Sequence, residues 1–291
     1  MAEIKRVAVL GAGTMGAGIA QIAATAGMDV RLRDVADGPI QKGLETIRSS
    51  LDRIVAKAAK AGKATMTDAA RTEVLGRIRT TTSLDEAVAD ADLVVEAIPE
   101  RMDWKKECLA SVEAAAPAHA VLATNTSSLS ITDIASAAKD PSRVVGMHFF
   151  NPVPVMELLE VVRGLRTSDA AVAAARATGE RMGKTVIVVR DSPGFATSRL
   201  GVCLAAEAIR MLESGVASAE DIDRAMELGY RHPMGPLRLT DLVGLDVRLA
   251  ILDHLHREVG EQFRPPPLLR QLVRAGKLGK KTGEGFYRWE K

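Results

Sequence analysis

A chain of 291 residues, 47% hydrophobic and 26% charged, can bury one large core or two ordinary ones. Its formal net charge of +2 argues against nucleic acid or a membrane surface as the main partner, and an aromatic content of 3% leaves few platforms for stacking single-stranded bases. Two cysteines far apart, Cys108 and Cys203, build neither a disulfide framework nor a metal site, so no metal is expected and both thiols read as small buried side chains in helical surroundings.

The chain opens "MAEIKRVAVLGAG". That apolar run is too short for a signal-peptide core, and no stretch reaches the roughly 18 apolar residues of a membrane span, so a soluble cytoplasmic protein is expected. Residues 5–10 read as a Val-rich strand. Gly11, Gly13 and Gly16 follow in G-x-G-x-x-G spacing, and residues 14–26 form a small, apolar, proline-free helix that Gly27 ends. Residues 28–33 are a second strand, closed by Asp34. The first glycine lets the chain turn sharply, the second lets backbone approach a pyrophosphate, and the third lets helix lie close on strand. The helix start offers N–H groups and a positive dipole end to phosphates. Asp34 stands where a carboxylate accepts from a ribose diol, and its charge repels a 2′-phosphate, which favours NAD over NADP. Arg31 and Arg33 are near enough to soften this preference, or, two residues apart on one strand face, are simply solvated.

Residues 41–62 pattern as a long helix with Leu44, Ile47, Leu51, Ile54 and Val55 on one stripe. Lys57, Lys60 and Lys63 cluster near its end, and charge alone reads them as a solvated face. "DLVVEA", residues 92–97, is a continuous apolar strand of the kind covered on both faces. A helix over 102–115, a strand over 119–124, the polar loop "NTSSLS" and a strand over 143–148 come next. Strand and helix alternate, so a doubly wound sheet is expected, with ligands outside the carboxyl ends of its strands. Gly11, Asp34, Pro99, Asn125 and His148 all fall at such ends.

The last strand-like runs are 156–162 and 184–189. Only "NPVP" precedes the first of them, too short for a crossover, so that run should pair antiparallel with the strand before it. In a hairpin centred near Pro154, His148 faces Glu160, close enough for a carboxylate–imidazole hydrogen bond. Beyond Arg190 a Pro-Gly breaker opens helical segments near 196–214, 218–228, 237–241, 246–259 and 268–275. The expected architecture is α/β plus all-α: residues 1–190 as a mostly parallel sheet with antiparallel edge strands, and residues 191–291 as a helical domain.

The stretches "GAGTMGAGIAQ", "DLVVEAIPE", "ATNTSSLSITDIA", "GMHFFNPVPVMELLEVV", "DSPGF", "ASAEDIDRAMELGYRHPMGPLRLTDLVGLD" and "GKLGKKTGEGFYRW" together resemble L-3-hydroxyacyl-CoA dehydrogenases, especially the short-chain 3-hydroxybutyryl-CoA type. They keep the family's order over nearly the whole chain. The resemblance implies a Rossmann-like NAD domain, a helical domain that makes a homodimer, an acyl-CoA substrate and a place in fatty acid metabolism. It implies His148 as general base, Glu160 as the carboxylate that orients it, Ser127 on the substrate oxygen and Asn151 in support. Asp34 would hold the adenine ribose, with Glu100 and Lys105 along the cofactor and Thr14, Met15 and Asn125 also counted as cofactor-binding. Ser50 and Lys57 would meet the CoA moiety. One position departs: where the family reads P-G-F-x-x-N-R, Ser198 precedes Arg199. Serine is shorter and keeps only a hydroxyl, which alters the acyl-side substrate contact.

The implied reaction converts L-3-hydroxyacyl-CoA and NAD⁺ to 3-oxoacyl-CoA, NADH and a proton. An imidazole of ordinary pKa, about 6.5, suits the proton acceptor, and a paired carboxylate fixes its tautomer. Two rival readings are an NAD-dependent dehydrogenase of a free hydroxy acid or sugar acid on the same scaffold, and a non-catalytic NAD-binding structural or sensor protein.

Overall fold

Strand β1 (Arg6–Leu10), four of whose five residues are buried, is the run that follows the charged N-terminal residues. It lies inside an eight-stranded sheet of order β3-β2-β1-β4-β5-β6-β7-β8. The computed structural model describes residues 3–60 and 66–290, and these divide into two units, one ending at Asp191 and the other beginning at Ser192.

In the first unit β1 leads through helix α1 (Thr14–Thr25) to β2 (Asp29–Arg33) and then through α2 (Asp37–Lys60) and α3 (Asp68–Gly76) to β3 (Ile78–Thr81). The chain returns through α4 (Leu84–Val88) to β4 (Leu93–Glu96), on the other side of β1. Helix α5 (Met102–Ala115), β5 (Val121–Thr124), α6 (Ile131–Ala135) and β6 (Val144–Phe149) extend the sheet. The strand order reverses at β1, which opens the switch-point crevice at its carboxyl end. Then β7 (Leu158–Arg163) pairs antiparallel with β6, and α7 (Asp169–Arg181) carries the chain to β8 (Thr185–Arg190), parallel to β7. Of the seven adjacent pairings only β6–β7 is antiparallel.

The expected parallel sheet with antiparallel strands at one edge is present, with differences that have physical causes. Strand β3, "IRTT", was not anticipated: it holds one apolar residue and its burial does not alternate, so only pairing with β2 makes it a strand. Helix α2 starts at Asp37, not residue 41, because Pro39 sits in its first turn, where proline's missing N–H costs nothing. The helix end expected at Gly62, and Lys63, lie outside the described residues. Cys203 is exposed on α8 and Cys108 only half-buried on α5, against the expectation of two buried thiols. Desolvation nevertheless pushes the Cys108 thiol up to about 11.

The second unit packs α8 (Thr197–Glu213), α9 (Ala219–Gly229), α10 (Pro236–Val243), α11 (Leu245–Glu258) and α12 (Pro267–Arg274) around Val202, Ile209, Leu237, Leu252 and Leu255. Two buried aspartates hold its C-terminal segment. Asp241 accepts from the Phe286 and Tyr287 amides at 2.9 Å and from Trp289 Nε1 at 2.8 Å. Asp223 accepts from Leu237 N, Arg238 N and the Tyr287 hydroxyl. Burial and this last bond raise the Tyr287 pKa above the phenol range. No helix among the described residues is long and apolar enough to cross a membrane.

Gly16 shows how tightly α1 is seated. A Cβ built there would lie 1.7 Å from the Gly11 carbonyl oxygen, a backbone atom that cannot swing away. Gly16→Ala should therefore cost at least the roughly 1–3 kcal/mol typical of overpacking. Thermal melting followed by circular dichroism reads this directly, and an unchanged melting temperature would mean that α1 is free to lift from the sheet.

Candidate active site

The loop from β1 to α1 is shaped by its glycines. Gly11 has φ +100°, a left-handed conformation that disfavours side chains, and a Cβ on it would meet the Ala97 oxygen at 2.7 Å. At Gly13 a Cβ would meet nothing within 4 Å, so backbone there faces open space. Gly13 is also the N-cap of α1, without a side-chain cap, and the first turn of the helix carries no acidic residue. Its leading N–H groups suit the phosphates of a dinucleotide.

Asp34, at the end of β2, ties this loop down. One carboxylate oxygen accepts from Ala12 N and the other from Val35 N, both at 2.7 Å. A carboxylate has about four acceptor sites, so acceptor capacity for a ribose diol remains. Arg31 and Arg33 are engaged, not merely solvated: Arg31 pairs with Asp90 at 3.1 Å and donates to the Glu86 carbonyl, and Arg33 Nε donates to the Thr82 carbonyl.

A cleft of about 780 Å³ opens beside this loop, large enough for a cofactor half. Gly11, Gly13, Thr14, Met15 and Asp34, five of the expected cofactor-binding residues, line it. Val35, Pro39, Leu84, Ile98 and Trp104 complete its apolar walls and were not foreseen. Trp104, an aromatic 44% exposed at the start of α5, is the one sequence signal that could have marked this wall. The lining suits NAD: glycine backbone and a helix start for the phosphates, a carboxylate for the ribose, and apolar side chains for the adenine.

Lys105 does not reach the cleft. It is 1% exposed and turned inward, with its ammonium 2.7 Å from Glu96 Oε1 and 3.4 Å from Glu100 Oε2. Glu96 also accepts from Ile98 N and from the Thr124 hydroxyl. Burying the charge of Lys105, one of the residues expected along the cofactor, requires an anion, and Glu96 on β4 supplies one. Glu100 lies outside the cleft lining as well. One of its oxygens accepts from the Thr126 hydroxyl, from Ser127 N at 2.9 Å and from Ser128 N at 3.3 Å. Both residues thus shape the loop that carries Ser127.

The polar pair on β6 and β7 is buried. His148 faces Glu160 in the register, as the hairpin arithmetic expected. Nδ1 of the 6% exposed imidazole lies 2.7 Å from Oε2 of the 0% exposed carboxylate. The carboxylate makes Nδ1 the donor, which assigns the ring's acceptor role to Nε2. Phe150 packs against the ring, with centroids 4.4 Å apart. Asn125 Oδ1 accepts from Phe149 N at 2.9 Å, joining the loop after β5 to the end of β6. Lys184, whose pKa burial lowers, donates to the Val153 and Met156 carbonyls and braces the β6–β7 connection, where Asn151 is exposed. Asn125, Ser127, His148 and Glu160 are therefore carried by neighbouring strands or the loops that leave them. Ser50 and Lys57 lie elsewhere, seven residues apart on α2, and Ser198 lies in the first turn of α8 in the second unit. No group of His, Cys, Asp or Glu that could hold a metal occurs among the described residues.

Two family models match the chain. Residues 6–192 match the NAD binding domain of 3-hydroxyacyl-CoA dehydrogenase, and residues 194–289 match the C-terminal domain of 3-hydroxyacyl-CoA dehydrogenase. A probable 3-hydroxybutyryl-CoA dehydrogenase of Bacillus subtilis is 48% identical over 99% of this chain and 98% of its own length. A 3-hydroxybutyryl-CoA dehydrogenase of Bradyrhizobium diazoefficiens is 44% identical over 98% of this chain and 96% of its own. The crystal structure of (S)-3-hydroxybutyryl-CoA dehydrogenase from Ralstonia eutropha superposes with a TM-score of 0.94 at 43% identity, covering 99% of this chain and 100% of that one.

Asp34 yields a test of the cleft. Fluorescence titration should show NADH binding far more tightly than NADPH, and Asp34→Ala should narrow the gap because the repulsion of a 2′-phosphate leaves with the carboxylate. Equal affinities in the unmodified protein would separate Asp34 from the ribose.

Proposed function

Because the chain belongs to the 3-hydroxyacyl-CoA dehydrogenase family, we propose that it interconverts L-3-hydroxyacyl-CoA, with 3-hydroxybutyryl-CoA the first substrate to try, and the matching 3-oxoacyl-CoA. NAD, when bound, supplies the hydride acceptor for C3. The residues of the chain supply position and proton transfer.

The observation that carries this reading is the buried His148–Glu160 pair, 2.7 Å apart. With Nδ1 held as donor, Nε2 receives the substrate hydroxyl proton as C3 becomes a carbonyl and returns it in the reverse direction. Glu160 stabilises the imidazolium so formed, because burial strengthens the attraction between the two charges. Ser127 donates to the substrate oxygen, and the Glu100 carboxylate that gathers the Ser127 amide fixes where that hydroxyl stands. Asn125 and Asn151 steady the end of β6 and the segment beyond it. Gly11, Gly13 and the start of α1 hold the pyrophosphate, and Asp34 holds the ribose. Ser50 and Lys57, on one face of α2, hold the CoA moiety, and Ser198 meets the acyl side.

The protein acts in the cytoplasm in this reading, as a homodimer through its second unit. Exposed apolar side chains on and near α9, α10 and α11 support the dimer: Leu228 and Tyr230 are each 76% exposed, and Leu239, Leu242, Val243 and Val247 lie between 37% and 45%.

Acetoacetyl-CoA reduction followed by NADH absorbance tests the assignment. His148→Ala should lower kcat by about 10²–10⁴-fold with NADH affinity intact. Glu160→Gln should also lower kcat severely, and the double variant should be little worse than His148→Ala alone, because the two residues act as a unit. Losses that multiply would separate Glu160 from the histidine, and near-normal turnover by His148→Ala would place the base elsewhere.

Lys57 can be separated from these residues kinetically. Lys57→Ala should raise KM for acyl-CoA in a salt-sensitive manner while the NADH dissociation constant stays put. An unchanged KM would return Lys57 to a solvated face.

A further inference from the structure

Strand β2 carries two arginines, and the fold sends them to different places. Arg31 lines a cavity of about 140 Å³ near the amino ends of β1 and β2, where its guanidinium pairs with Asp90 at 3.1 Å and donates to the Glu86 carbonyl. Arg33, about 7 Å further along the strand, lines the cofactor cleft beside Asp34. Its Nε donates to the Thr82 carbonyl at 3.2 Å, which tethers the head of the side chain. Its two Nη groups make no hydrogen bond or ion pair among the described residues, although the carboxylates of Asp34 and Glu107 belong to the same cleft.

The Arg33 charge acts across this cleft. Burial and the Glu96 carboxylate raise the pKa of the Cys108 thiol on the α5 wall, and the Arg33 charge opposes them. A tethered guanidinium that keeps both Nη groups unused is a preorganised anion partner: its two terminal N–H groups point the same way and match a pair of phosphate oxygens. The residue next to it in the chain is the one assigned to the ribose diol. A phosphate on the 2′ oxygen of that ribose therefore arrives beside Asp34, which repels it, and beside Arg33, which attracts it.

We infer that Arg33 is a partner for a 2′-phosphate, masked by the carboxylate of Asp34, so that a single acidic side chain keeps this cleft from accepting NADP(H). The inference rests on the reading that Asp34 holds the adenine ribose. Arg31 takes no part, because its guanidinium is committed at the amino end of the strand. The ligand class is a dinucleotide, or its adenosine half, with a phosphate monoester on the 2′ oxygen.

Fluorescence titration at fixed ionic strength should give the ratio of the NADPH to the NADH dissociation constant in four proteins: unmodified, Asp34→Ala, Asp34→Ala with Arg33→Gln, and Asp34→Ala with Arg31→Gln. Removing the carboxylate should bring the ratio to about one or below. Adding Arg33→Gln should raise it again by about ten- to a hundredfold, the range expected of hydrogen bonds to a charged group. Adding Arg31→Gln should leave it where Asp34→Ala put it. If the Arg33 variant does not fold, Asp34→Ala alone still answers: adenosine 2′,5′-bisphosphate should displace NADH at lower concentration than AMP, by a margin that shrinks as salt is added. A ratio that Arg33→Gln leaves unchanged, an equal change on Arg31→Gln, or a bisphosphate that binds no tighter than AMP overturns the inference. An Asp34→Ala protein that keeps the ratio of the unmodified one removes the ribose reading of Asp34, and the inference with it.

Discussion

The antiparallel pairing of β6 with β7 is the constraint on which the candidate site depends. Side chains alternate along a strand, so a slip of one residue would put Glu160 on the opposite face of the sheet from His148. The observed register sets the two opposite each other, with Nδ1 and Oε2 2.7 Å apart. The carboxylate is fully buried, and a buried charge without a partner would be strongly destabilising. The hairpin thus has two reasons to hold one register: the apolar faces of both strands and the pairing of acid with imidazole. The parallel strands that precede it have a different task, which is to bring the ends of β1, β2, β4 and β5 to one edge.

Polar groups under that edge form linked supports. Glu96 gathers Lys105, Ile98 N and the Thr124 hydroxyl, and Lys105 reaches on to Glu100. Glu100 then gathers the amides of Ser127 and Ser128. Asn125 joins the same loop to Phe149, next to His148. Lys105, Glu96 and Glu100 thus support the loop that carries Ser127. Such supports matter because a misplacement of about 1 Å in a reacting group can cost two orders of magnitude in rate. The second unit uses the same device for a structural end: Asp223 and Asp241 each satisfy three donors and hold the C-terminal segment against the helices.

The sequence by itself determined everything whose physics is local. The glycine spacing, the helix that follows and Asp34 specify the dinucleotide loop, because each acts within one β-α-β unit. The NPVP segment made the β6–β7 hairpin and the facing of His148 and Glu160 computable, since a connection with no room for a helical crossover requires antiparallel strands and its centre near Pro154 sets the register. The change to helix after Arg190 was legible because the strand-like runs stop there. What only the tertiary structure decided involves partners distant in the chain. Strand β3 exists through its pairing with β2, and the apolar cleft wall is assembled from Val35, Pro39, Leu84, Ile98 and Trp104. Lys105 turns inward because Glu96, nine residues away and on another element, offers the anion its burial requires. Arg248 meets Gly201 across two helices. Composition and periodicity record which side chains a segment prefers to bury. They do not record which buried charge finds an opposite charge, because that depends on the packing of elements the sequence does not place side by side.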